Sequence, residues 1–266
     1  MGSGSALRIG IIGGSGWLGG AIAAAMLDAG IVLPRDLSLS YRSECPHLFP
    51  GAFWTSSNQA LADRSDVIVL SVRPADWSTL NVNLQGKLAI SVMAGIRLSG
   101  LCDRHQTQCA VRALPNAAAE VRKSYTPWTA TCGVNEADRA IVRKIFDACG
   151  VQDEVLTEAE IDYLTGLTGS GPALPALLAE AMMADAIERG LDRKVAQRAV
   201  NTVLIGAGRM LERRDDCPTD TVQTFLDYRG TTAAAIEAMT DAGFGTIVRR
   251  GLSAAFEKSI RMGDIS

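Results

Sequence analysis

Histidine is almost missing from this 266-residue chain, which has two, His47 and His105. None of its six cysteines stands in a CxxC pair. A zinc centre needs about four nitrogen or sulfur ligands brought together, so no metal is expected here. The cysteines, Cys45, Cys102, Cys109, Cys132, Cys149 and Cys217, read as reduced, mostly buried residues of a cytoplasmic protein. Outside alanine-rich helical patterns there is no run of 18 uncharged apolar residues, which argues against a membrane span. The formal charge is −3 and lysine and arginine are scattered, so no basic stripe argues for nucleic acid. No signal peptide precedes the first strand, and residues 1–6 (MGSGSA) are set aside as a loose leader.

What is present is apolar and periodic. Hydrophobic residues make up 47% of the chain, enough for a real core in one large domain or two modest ones. The first half alternates strand and helix. Apolar runs at 7–12, 36–41, 65–72, 87–95 and 108–116 read as strands, with helical patterns at 21–30 and 136–150. "VIVL" (67–70) is apolar throughout, as a strand covered on both faces of a parallel sheet must be. Strand signals stop near residue 155, and 156–262 reads as helices with glycine stops at Gly190 and Gly243. The expected fold is therefore α/β: a Rossmann-type doubly wound sheet over 7–155, followed by an all-helical domain over 156–266.

The first strand runs into "GIIGGSGWLGGAI" (10–22), where Gly14, Gly16 and Gly19 match G-x-G-x-x-G, and Gly13 offers a second register with Gly16 and Gly19. Glycines there permit a tight turn and let backbone N–H groups approach a pyrophosphate at a helix N-terminus. Gly14, Ser15, Gly16, Trp17 and Leu18 are thus candidate dinucleotide contacts. The second strand ends "LSLSYRSE" (37–44). An NAD site usually has a carboxylate at that strand end, whereas an arginine suits the 2′-phosphate of NADP. Ser40, Arg42 and Ser43 stand there, which favours NADPH over NADH; a solvated loop arginine beside Glu44 is the plainer alternative. Three more strand ends reach the same rim: Val72, Arg73 and Pro74 in "SVRP", Ala94 and Gly95 in "VMAG", and Asn116 in "ALPN". Ligands of open α/β sheets bind at such carboxyl ends.

These segments, with "ISVMAGI" (90–96), "RALPNAAAEV" (112–121), "LTGLTGSGPA" (164–173) and "GTTAAAIEAMTDAGF" (230–244), resemble the pyrroline-5-carboxylate reductase family over nearly the whole chain. The resemblance implies reduction of a cyclic imine carboxylate, 1-pyrroline-5-carboxylate to proline, with a nicotinamide cofactor, and an intertwined dimer built on the helical domain. It assigns Ser170 and Thr232 to the catalytic centre and Gly169, Gly171, Gly230 and Thr231 to the substrate, and places Arg229 in the same loop. An iminium carbon accepts hydride without a strong base, so a site of small residues and helix-start N–H groups, as in "GSGP", can orient the ring and hold its carboxylate. Close packing of helices is the competing use of the same small residues. The apolar helix from Ala173 and the small residues of "GAGRM" (206–210) predict an obligate homodimer or a higher homo-oligomer.

The chain departs from the family at "DYRGTT" (227–232), where Tyr228 and Arg229 replace a proline and a glycine. This raises the expectation of a related imine of different size or charge, with Arg229 gripping a second anionic group; the alternative is that Arg229 turns outward toward Asp227 or solvent. Three rival functions stay open. A β-hydroxyacid dehydrogenase shares the two-domain plan but needs a lysine after the boundary, and none lies between Ile145 and Arg193. A deazaflavin-type reductase would explain the glycine loop but not "GSGPA" with "GTT". A non-catalytic NADP(H)-binding sensor would bind cofactor without turning over any imine.

Overall fold

Short strands with almost no exposed side chains build the sheet that carries the glycine loop. The computed structural model describes residues 7–214 and 217–263, so the expected leader lies outside the described residues. The chain runs β1 (Ile9–Ile12), α1 (Trp17–Asp28), β2 (Leu37–Ser40), β3 (Phe53–Thr55), α2 (Asn58–Asp63), β4 (Val67–Leu70), α3 (Pro74–Trp77), β5 (Leu88–Ser91), α4 (Leu98–His105), β6 (Cys109–Ala113), β7 (Ser124–Ala130), α5 (Glu136–Cys149) and β8 (Gly150–Glu154). The sheet order is β3-β2-β1-β4-β5-β6-β7-β8. All neighbours are parallel except β6 and β7. Strand order reverses between β1 and β4, and the crevice at that switch point is where such sheets bind ligands.

The register explains the apolar runs. Leu39, Ile11, Val69, Ile90 and Val111 form one row across five strands. That face carries α1 through Ile22 and Met26 and α5 through Val142 and Phe146. Alternate residues, Ile68, Ala89 and Ala110 among them, face the other side with Leu61 of α2, Trp77 of α3 and Leu101 of α4. Each such fully buried aliphatic side chain contributes roughly 1.5–3 kcal/mol relative to exposure.

The described chain divides into two compact units. One comprises the chain up to Ser170 together with the stretch from Ala255; the other is Gly171–Ala254. The sheet unit therefore reaches past the boundary expected at 155, and also takes in the end of the last helix. The local reason is an ion-pair cluster. α6 (Glu158–Leu164) presents Glu158 and Asp162 to Arg112 of β6, whose side chain is 1% exposed, at 3.1 and 2.6 Å. Asp162 also takes Arg97 at 2.9 Å.

The helical unit holds α7 (Ala173–Glu188), α8 (Arg193–Arg214), α9 (Pro218–Asp227), α10 (Thr231–Asp241) and the first part of α11 (Phe244–Gly263). No residue of α7 is buried despite its apolar sequence, and Leu177, Val203, Ile205 and Ile247 stand exposed. None of the described helices is long and apolar enough to cross a membrane. The cysteines are free, but only Cys149 is buried; Cys45, Cys132 and Cys217 are exposed, so the expectation of mostly buried thiols is corrected. They fall at loops or helix caps beyond the apolar rows.

One histidine is a structural element. His105 is fully buried, its Nε2 accepts from Trp77 Nε1 at 3.3 Å, and its Nδ1 lies 2.9 Å from the Val82 carbonyl. Burial, with Arg104 close by, pushes its pKa below the ordinary 6.5. A proton taken up only by the unfolded chain favours unfolding. The stability that neutral His105 contributes is fully present above about pH 6.5 and is lost as pH falls below that toward the depressed folded value. Melting temperature should therefore fall more steeply between pH 7 and pH 5 (about the titration range of histidine) in the wild type than in His105→Gln. Parallel pH profiles would refute this role.

Candidate active site

A cleft of about 530 Å³ opens at the carboxyl ends of β1, β2 and β4. Its floor is the turn between β1 and α1. Gly13 sits at φ +84°, and a Cβ there would lie 2.3 Å from the Ser71 carbonyl oxygen, so no other residue fits without moving the backbone. A Cβ on Gly14 would meet the Leu39 side chain at 2.6 Å, and one on Gly19 the Gly13 carbonyl at 2.5 Å. Gly13, Gly14 and Gly19 therefore all lack room for a side chain, so both glycine registers take part in the turn. Ser40 fastens it: its hydroxyl accepts from the Gly13 N–H at 3.0 Å, and its carbonyl accepts from the Ser15 N–H at 3.2 Å.

Of the expected cofactor contacts, Ser15, Gly16, Trp17, Ser40, Arg42, Val72 and Arg73 line this cleft. Others have different surroundings. Gly14 packs against β2, and Leu18 packs against the core beneath α1. Ser43 is exposed beyond the cleft lining, and Pro74 is the first residue of α3. Ala94 is half-buried outside the lining. Gly95, at φ +82°, is approached by the end of α11: a Cβ there would lie 2.8 Å from the Met262 carbonyl carbon. Asn116 is buried, with its amide donating to the Thr168 carbonyl at 2.9 Å and its oxygen accepting from the Ala118 N–H at 2.9 Å. Its side chain is thus held by internal ties on both its nitrogen and its oxygen.

Sequence reasoning passed over Tyr41, Ser56, Asn58, Ser71 and Asp76, all of which line the cleft. The signal for Asn58 was available, since "SSN" is an N-cap pattern and Ser57 does accept from the Ala60 N–H at 3.2 Å. Asp76 Oδ2 accepts from Arg42 Nη2 at 3.1 Å and from Arg73 Nε at 3.0 Å. The Arg73 hydrogen bond, aided by Arg42, holds the Asp76 carboxyl below the usual carboxylate range against a smaller desolvation effect. The cleft thus combines a turn with room for a diphosphate and two guanidinium groups, each of which keeps free donors for a further anion.

The helix-start segment differs from its expectation. Residues Thr165–Gly169 form a π turn, and the Ser170 N–H donates to the Thr165 carbonyl at 3.2 Å. Ser170 and Pro172 already have helical dihedrals, and the Leu174 N–H donates to the Gly171 carbonyl at 3.2 Å. The chain is helical before α7 begins, so the donors at Ser170 and Leu174 are satisfied internally. A Cβ on Gly169 would lie 3.2 Å from the Leu114 side chain, so that glycine serves close packing. In the helical unit, Gly230 is the N-cap of α10 with no side-chain cap, and Thr231 and Thr232 form its exposed first turn. Arg229 adopts φ +52°, the left-handed conformation that suits the glycine it replaces. Tyr228 is 84% exposed, Arg229 is exposed to solvent, and Asp227 accepts from Gln223 at 2.8 Å, so of the two outward partners considered for Arg229 the structure favours solvent.

Residues 158–262 match a family described as pyrroline-5-carboxylate reductase dimerisation. Residues 8–95 match one described as NADP oxidoreductase, coenzyme F420-dependent. A pyrroline-5-carboxylate reductase of Methanosarcina acetivorans is 30% identical over 267 aligned positions, covering 96% of this chain and 98% of the relative. The chain belongs to the pyrroline-5-carboxylate reductase family. With that family it is an oxidoreductase acting on a carbon–nitrogen double bond. A Synechocystis pyrroline-5-carboxylate reductase is 27% identical over 97% of this chain and 98% of its own length. Among solved structures, the Plasmodium falciparum pyrroline carboxylate reductase with NADP bound is similar at TM-score 0.84 and 27% identity, covering 97% of this chain and 98% of that one. The Coxiella burnetii pyrroline-5-carboxylate reductase is similar at TM-score 0.88 and 25% identity, covering 97% and 99%. The end-to-end match to pyrroline-5-carboxylate reductases displaces the β-hydroxyacid dehydrogenase, deazaflavin and sensor alternatives.

Proposed function

We propose that this chain reduces 1-pyrroline-5-carboxylate to proline with NADPH, as a cytoplasmic homodimer. The observation that carries the reading is the end-to-end relationship to reductases of that name, and the Gly13 turn beside Arg42 and Arg73 fits the cofactor. When bound, the nicotinamide supplies a hydride. The imine carbon receives that hydride and the nitrogen carries a proton, so the double bond becomes a saturated amine. The first N–H groups of α1, at Trp17 and Leu18 beside the Gly13 turn, would hold the diphosphate, and Arg42 and Arg73 would hold the 2′-phosphate. The first N–H groups of α10, at Thr231, Thr232 and Ala233, precede its intrahelical bonds and hold the substrate carboxylate, with the Thr232 hydroxyl beside them. Ser170, Gly169 and Gly171 are kept as the ring's neighbours by the family's motif.

Arg229 is exposed, which favours the plain substrate over a doubly anionic one. Wild-type protein should turn over pyrroline-5-carboxylate, and Arg229→Gly should change kcat/KM by less than about fivefold, the scale of an exposed charge. In a screen of cyclic imines, a different acceptor preferred tenfold or more, with the preference lost in Arg229→Gly, would replace this reading (about 1.4 kcal/mol of discrimination). For the assembly, the matched dimerisation region and the exposed apolar residues of α7 and α8 support a homodimer. Sedimentation at low micromolar concentration should give a dimer or a multiple of it, and a monomer would remove the proposal.

A further inference from the structure

The carboxylate in the cleft lining comes from a helix that follows β4 and not from the end of β2. Asp76 stands in α3, after β4, yet its Oδ2 is bonded to both cleft arginines, 3.1 Å from Arg42 Nη2 and 3.0 Å from Arg73 Nε. Its placement is rigid. The Asp76 N–H donates to the Arg73 carbonyl at 2.8 Å, and Thr79 Oγ1 donates to the Asp76 carbonyl at 2.9 Å. The next residue, Trp77, is buried and hydrogen-bonded to His105. The two arginine side chains are each 74% exposed while the Asp76 side chain is 31% exposed, so the carboxylate is the more enclosed partner.

We propose that Asp76 sets the cofactor preference of this enzyme, restraining its choice of NADPH over NADH. The proposal rests on the NADPH reading above. The 2′-phosphate and Asp76 are like charges that compete for the same arginine donors. A phosphate oxygen bonded to Arg42 stands within about 6 Å of Asp76, inside the screening length of about 10 Å at 0.1 M salt. An unphosphorylated ribose has no such conflict, because its hydroxyl groups donate to a carboxylate. This is the service a carboxylate at the end of β2 performs in NAD sites, and here it comes from α3. One acid thus weakens the hold on one cofactor and favours the other.

The test is equilibrium titration of the full chain, followed by nicotinamide fluorescence, with NADPH and NADH, for wild type and Asp76→Asn. Adenosine 2′,5′-bisphosphate and ADP, as competitors, separate the phosphate from the rest of the cofactor. Asp76→Asn should tighten NADPH and the bisphosphate by about fivefold or more and leave NADH and ADP unchanged or weaker. The gain should shrink when Arg42→Gln is added, because the competition is for that side chain. Weaker NADPH binding by Asp76→Asn would make Asp76 an organiser of the arginines and overturn the proposal, as would an unchanged NADPH-to-NADH ratio. Asp76→Ser, read in the same way, covers the case in which Asp76→Asn fails to fold. If the wild type binds no NADPH, the parent reading fails and takes the proposal with it. If the wild type binds NADPH but the variant ratio is unmoved, the proposal alone fails.

Discussion

Replacing Asp162 by alanine should lower unfolding stability by about 3–5 kcal/mol, because it strips one partner from a guanidinium group that has no access to water. Arg112 is 1% exposed and holds Asp162 at 2.6 Å and Glu158 at 3.1 Å. Glu158 is shared in turn, since its Oε1 also accepts from the Leu98 N–H at 3.1 Å. One carboxylate already divided between two donors cannot replace a lost one. The urea midpoint of the intact protein is the measurement, read at constant m-value. Replacing the pair together, Arg112→Met with Asp162→Leu, should recover most of the loss, because the penalty lies in the orphaned charge. A loss below about 1 kcal/mol in Asp162→Ala would reduce the cluster to the worth of a surface pair.

Arg42→Ala should weaken NADPH binding by about 1–3 kcal/mol, roughly 5- to 150-fold, and leave NADH within about twofold, since only the 2′-phosphate meets that guanidinium. The side chain leaves the end of β2 into the cleft and is 74% exposed. Arg42→Lys should recover only part of the loss, because an ammonium cannot make the planar two-pronged contact. Equal losses for both cofactors would move Arg42 from phosphate recognition to loop folding.

Much of the sheet was legible because burial on both faces leaves little choice of residue. "IGII" and "VIVL" are apolar at every position or glycine, and both are strands with every residue buried. What escaped were strands with weaker patterns. β3 is three residues long. β7 carries Pro127 in its interior, a residue that argues against a strand until its neighbours are known; there the Pro127 carbonyl accepts from the Leu114 N–H at 3.0 Å. β8, "GVQDE", is a polar edge strand paired only with β7. In the site, Arg42 and the glycine turn were legible because their chemistry is local. Asp76 was not, because its meaning depends on a neighbour 34 residues away that only the strand order β2-β1-β4 brings close. The ties of Asn116 were hidden for the complementary reason: a strand-end asparagine looks free in sequence, and its amide bonds to Thr168, 52 residues on.

The four tryptophans divide the molecule into separate optical channels. Trp128 and Trp77 are buried in the sheet unit, and Trp54 stacks on Phe49. Trp17 alone of the four lines the cleft; it is 62% exposed, with its indole N–H donating to Glu120 at 3.0 Å. Intrinsic emission therefore carries two messages that a single substitution can separate. With Trp17→Phe, the remaining signal tracks melting of the core. The difference from wild type tracks occupancy of the cleft, without a label and at protein concentrations where the assembly can be diluted at will.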